Sequence, residues 1–164
     1  MQSVIEVEAV KGIGLLGDRK ANHSGIWNEK FIGREVTLVE AESLEMLATD
    51  HGIELGPGAT RRNITTRDVR LNDLVGKSFR VGEVEMTGIK LCEPCEHLQA
   101  MVGRPVIKPL THKAGVRAML LNSGVIRTGD AVELIAEPVE AASQAAPQRE
   151  AWSPRRPNLR GLSS

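Results

Sequence analysis

Short β-type runs that stop at glycine turns recur along most of this chain, and no other feature constrains its fold as much. Ser3 to Val10 reads as a strand, with Val7 alternating against Glu6 and Glu8. Glu35 to Glu40 is a β-branched strand. Phe79-Arg80-Val81, the turn Gly82-Glu83 and Val84 to Ile89 predict a hairpin. Val116 to Leu121, Val125 to Arg127 and Ala131 to Ile135 are further strands, separated by Asn122-Ser123-Gly124 and Thr128-Gly129-Asp130. Helical spacing is brief by comparison. Ala41 to Gly52 places Leu44, Leu47 and Ala48 on one face before a glycine stop, and Glu96 to Met101 has room for one or two turns before Gly103-Arg104-Pro105. The expectation is a mainly β fold, a barrel or sandwich with a few short helices.

Residues 1–136 carry this pattern. From Glu137 to Ser164 the composition shifts to Ala, Pro, Gln, Ser and Arg, with few apolar groups beyond Trp152, Leu159 and Leu162. Such a segment buries too little surface to offset its ordering entropy, so 137–164 is expected to be a disordered tail. Its Arg149, Arg155, Arg156 and Arg160 are available to an acidic partner, although a solvated tail explains them equally simply.

Charge and aromatic content narrow the function. Lys plus Arg number 21 and Asp plus Glu number 21, so the basic excess of a nucleic-acid surface is missing. Two Phe, two Trp and no Tyr leave little with which to stack bases. The first residues lack the basic and apolar regions of a signal peptide, and no run approaches the roughly 20 apolar residues of a membrane span. Two cysteines without an export signal point to a reducing, cytoplasmic setting.

Both cysteines fall in one stretch, Lys90-Leu91-Cys92-Glu93-Pro94-Cys95-Glu96-His97-Leu98, directly after a predicted strand. A thiol on a proline-fixed turn at a strand end is placed for chemistry on a rigid scaffold. A thioredoxin-like redox pair requires a long following helix, which Gly103 and Pro105 prevent. Structural zinc, completed by His97 and His112, lacks a second closely spaced ligand pair. A single reactive thiolate, acting as nucleophile or soft-metal ligand among cationic groups, remains, as do two ordinary buried cysteines. Periodicity does not separate these last two.

Two other stretches bear on ligands. Gly12-x-Gly14-x-x-Gly17 has phosphate-loop spacing, yet Asn22-His23-Ser24-Gly25 beyond it is loop-like rather than helical, so a tight irregular loop is the simpler reading. Arg61-Arg62-Asn63 follows a Gly-Pro-Gly turn; arginine forks bind phosphate or carboxylate, though such a pair is often merely solvated. Arg34, Arg117, His112 and Lys113 add cationic options in loops and at strand starts.

Taken in order, Gly12-Ile13-Gly14, Gly17-Asp18-Arg19, Val36-Thr37-Leu38-Val39-Glu40 with Glu42-Ser43-Leu44, Pro57-Gly58, Arg61-Arg62-Asn63-Ile64, Leu74-Val75-Gly76, Pro94-Cys95 and Thr128-Gly129-Asp130-Ala131-Val132 resemble a MOSC domain, the module named for the carboxy-terminal part of molybdenum cofactor sulfurases. The resemblance implies a MOSC-like β-barrel over residues 1–136. It implies that Cys95 ligates molybdenum or carries a persulfide, and that Arg61 and Asn63 match the family's Arg-x-Asn, which holds molybdopterin. Arg62 and Arg117, as nearby cations, are expected to add cofactor contacts. Two functions follow as expectations. One is a molybdenum-cofactor oxidoreductase that reduces N-hydroxylated small molecules, with substrate entering past the Gly14 to Lys20 loop and electrons arriving from a partner protein. The other is a sulfur carrier that delivers a Cys95 persulfide to a metal-sulfur centre, with Cys92 as a resolving thiol. No pyridoxal phosphate is expected, and no nucleic-acid or membrane partner. Glu93, two residues before the cysteine, brings a carboxylate that repels an anionic cofactor unless it turns away.

Overall fold

The structure, a computed structural model, describes residues 4–18, 35–56 and 58–135. Readings made on Lys20, Asn22 to Gly25, Arg34 and the 137–164 tail lie outside the described residues.

Nine strands form two sheets among the described residues. The smaller has the order β2-β1-β8, built from β1 (Glu6–Val10), β2 (Gly14–Leu15) and β8 (Gly124–Arg127). The larger runs β4-β3-β7-β6-β5-β9, from β3 (Val36–Glu40), β4 (Ile64–Thr66), β5 (Ser78–Val81), β6 (Val84–Leu91), β7 (Val116–Leu120) and β9 (Val132–Leu134). Among these nine strands only β3 and β4 pair in parallel. The larger sheet curls as a half-barrel, and the expected hairpin is present with Val81 opposite Val84. The glycine stretch 12–17 turns the chain tightly, with positive φ at Gly12, Gly14 and Gly17, and its middle pairs as β2 against β1.

Alternation explains the main core. Val36 and Leu38 of β3, Val116, Ala118 and Leu120 of β7, Val84 and Met86 of β6 and Phe79 of β5 are buried together with Ala9, Leu15 and Ile126 of the smaller sheet. Both sheets therefore share one apolar interior. A second cluster is made by helices: α1 (Ala41–His51) contributes Leu47, α2 (Glu96–Val102) Leu98 and α3 (Ile107–Leu110) Leu110, joined by Ile53, Val106 and Ala114. Gly52 ends α1 in a left-handed conformation, φ 63°, donating its N–H to Ala48 at 3.1 Å.

Two glycines allow close backbone crossings. A Cβ on Gly88 would stand 2.2 Å from the Leu74 carbonyl oxygen, where the 3₁₀ turn Leu71–Leu74 crosses β6 beside a bulge between Gly88 and Lys90. A Cβ on Gly115, φ 101°, would stand 1.8 Å from the Leu38 carbonyl oxygen. Gly115 opens β7 against β3, and its carbonyl receives the first residue of the cysteine turn.

Candidate functional site

β6 ends at Leu91, and Cys92-Glu93-Pro94-Cys95 carries the chain into α2. Cys92 is buried at 2% exposure, whereas Cys95 is exposed; both thiols are free. The Cys92 N–H donates to the Gly115 carbonyl at 2.7 Å. Arg62 reinforces this junction, donating Nε–H to the Ala114 carbonyl at 2.8 Å and Nη2–H to the Cys92 carbonyl at 3.1 Å. One guanidinium thus joins the cysteine turn to the segment that enters β7.

The setting of Arg62 is electrostatically tight. Burial pushes its pKa below the usual guanidinium range, the Cys92 thiol opposes that shift, Arg117 adds to it and Cys95 opposes it. Arg62 therefore lies within electrostatic reach of Arg117 and of both cysteines. Arg117 lies in β7 directly opposite Thr37 of β3 and Lys90 of β6, so these three share the sheet face opposite to Val116 and Ala118.

Asn63 belongs to the same face. Its Oδ1 accepts the Thr37 N–H at 2.9 Å and the Thr37 hydroxyl at 2.8 Å, and its Nδ2 donates to Asp18 at 3.0 Å. The Asn63 N–H in turn donates to the Thr37 carbonyl at 2.9 Å. Arg61 is exposed in a left-handed conformation, φ 57°, and directs Nη1 at the Met101 sulfur of α2, 3.1 Å away. The triplet thus divides its labour: Arg61 reaches the α2 side, Arg62 grips the cysteine turn, and Asn63 ties β3 to Asp18.

Glu93 is engaged rather than free. Its Oε2 accepts the His112 N–H at 2.9 Å, and its Oε1 lies 2.7 Å from His112 Nδ1. The backbone hydrogen bond from His112 is the largest cause that holds this carboxyl below its ordinary value; slight burial opposes it, and the ring contact adds to it. His112 itself has φ 60°, and its carbonyl accepts the Asn72 side-chain N–H at 2.9 Å. His97 is exposed, and among the described residues no three His, Cys, Asp or Glu side chains gather as a metal-holding group.

Of the residues expected from sequence, Cys95, Arg62 and Arg117 come together, Arg61 borders them through α2, and Asn63 stands on the same sheet face. Thr37, Asp18 and the Glu93–His112 contact went unassigned. Thr37 offered a signal: a hydroxyl in the otherwise apolar run Val36 to Val39 is buried at 4% exposure and must find a partner.

The family model of the MOSC domain matches residues 20–133. No curated protein matches the chain in sequence. Among solved structures, the chain is similar to YiiM from Geobacillus stearothermophilus, at 21% identity and TM-score 0.58 over 63% of this chain and 55% of that one. YiiM from Escherichia coli is 18% identical, with TM-score 0.64 over 84% of this chain and 65% of that one. YuaD from Bacillus subtilis is 16% identical, with TM-score 0.65 over 80% of this chain and 85% of that one. These likenesses are of fold, and the chain spans less than two thirds of either YiiM protein.

Proposed function

The chain belongs to the MOSC domain family, and from that premise we propose that it binds a molybdenum cofactor and reduces N-hydroxylated small molecules. The observation that carries this reading is the exposed Cys95 thiol in the charge neighbourhood of half-buried Arg62 and Arg117. A soft thiolate suits a molybdenum ion, and arginine suits the phosphate of a pterin. The donor set fits an anionic, thiol-bound group. Cys95 would hold the metal, Arg61 and Arg117 would face the anionic end, and Arg62 would fix the turn that presents Cys95. Asn63 spends its carbonyl oxygen on Thr37, so its contribution is to seat Arg61 and Arg62.

The bound cofactor would supply two-electron redox chemistry at its metal. In the net reaction an N–OH group becomes N–H and water, with two electrons and two protons delivered from a separate reductase. The protein's part is to orient the cofactor and to keep positive charge beside it. Among the described residues no helix is long and apolar enough to cross a membrane.

Elemental analysis and intact mass of protein from a host that makes the cofactor test this. Near-stoichiometric molybdenum that disappears in Cys95→Ala is the expected result. Absence of molybdenum with a sulfur-sized mass increment on Cys95 would replace this reading with the persulfide carrier.

A further inference from the structure

The carboxylate nearest to Cys95 on its amino-terminal side belongs to Glu93, whose Cα lies within about 7 Å by chain length alone. Left free, that charge would oppose any anion approaching the thiol. The structure instead shows both Glu93 oxygens engaged by one residue, His112, through its backbone N–H and its ring. His112 adopts a left-handed backbone that non-glycine residues seldom occupy, and it is held there from the other side by Asn72. Junctions at Cys92–Gly115 and at Arg62 fix the same two segments together. The ring contact is therefore not needed to attach the turn, and what it adds is placement of one negative charge.

We propose that His112 is a positioning residue that sets the charge seen at Cys95: by clasping Glu93 it keeps the thiol open to anionic ligands. This rests on Cys95 as the reactive group and deepens that reading by naming the ligand charge the site selects. Glu96, exposed beside Cys95, contributes a constant repulsion that cancels when variants are compared.

The test uses full-length protein purified without molybdenum cofactor, alkylated with iodoacetate (anionic) or iodoacetamide (neutral) and mapped by mass to Cys95. In both reactions the sulfur–carbon bond forms as iodide leaves, so the rate ratio reports charge rather than access. In His112→Gly, which accepts the left-handed backbone, the iodoacetate-to-iodoacetamide ratio is expected to fall about threefold, the scale of one unit charge at about 6 Å in water. His112→Asn, which also tolerates that backbone and can place an amide N–H where Nδ1 stands, is expected to stay near the wild-type ratio. The double variant Glu93→Gln/His112→Gly should regain the wild-type ratio, and Glu93→Gln alone should leave it unchanged. A ratio that stays at the wild-type value in His112→Gly overturns the proposal, as does a fall that persists in the double variant. Molybdenum content is measured separately, so failure of the cofactor reading leaves this outcome standing on its own.

Discussion

β7 has two faces with opposite duties. Val116, Ala118 and Leu120 are at most 1% exposed and fill the interior shared by both sheets. Arg117, between them, is half-buried on the other face, among Thr37, Lys90 and the charge field of Arg62. One strand, read at period two, faces the core on one side and the proposed site on the other. Substitutions on the two faces should therefore separate cleanly into losses of folding and losses of ligand binding.

The largest effect is expected in the interior. Phe79 is fully buried in the main core, and Phe79→Ala should cost about 3–5 kcal/mol in denaturant unfolding. Wild-type stability in that variant would break the comparison at its base. Gly115 stands where the faces meet. Gly115→Ala places a methyl on the Leu38 carbonyl at a φ of 101°, so strain and crowding together should cost about 2–4 kcal/mol. The same variant should also slow Cys95 alkylation, because Cys92 hangs from the Gly115 carbonyl. Arg62→Met comes next. It leaves the Cys92 and Ala114 carbonyls without their donor and should cost about 1.5–3 kcal/mol, with weakened anion binding measured alongside.

Glu35 probes the seam between the sheets by pH. It precedes β3 and accepts the Leu120 N–H of β7. Burial raises its pKa above the ordinary value of 4.5, while the backbone donors of Leu120 and Gly12, and then Lys11, oppose that rise. A raised folded-state value means the folded chain holds this proton more tightly than the unfolded chain. Its contribution is complete below 4.5 and is lost as pH climbs through the raised value. Glu35→Gln keeps an acceptor for Leu120 and loses the titration. The variant's stability relative to wild type should therefore rise with pH across that window in unfolding titrations. A flat difference would remove Glu35 from the seam.

Much of this fold was legible because alternation is local. The 79–89 hairpin, the strand ahead of α1, the Gly52 stop and the strands at 116 and 125 follow from side-chain period and turn residues alone. The parallel β3–β4 pairing and the short α3 were not legible, since both depend on partners far away in sequence. At the site, the turn that carries both thiols could be read, but which of them is exposed and the roles within Arg61-Arg62-Asn63 could not. A left-handed Arg61 rotates the side chains that follow it, which no spacing rule conveys. Thus Arg62, quoted only as a companion, became the half-buried grip on the cysteine turn.

The smallest effect sharpens the comparison most, because it sets two like residues three apart against each other. Cys92 is 2% exposed beneath the turn, and truncation to alanine should cost on the order of 1 kcal/mol through lost packing. Cys95 is exposed and contributes its carbonyl, not its thiol, to α2, accepting the Gln99 N–H at 3.0 Å. Cys95→Ala should therefore unfold within about 0.5 kcal/mol of wild type while abolishing thiol alkylation at the site. That outcome would match the proposed role of Cys95, a reactive group on a turn held by Gly115, Arg62 and His112. Equal stability losses in the two alanine variants would make both thiols structural and dissolve the division between the faces.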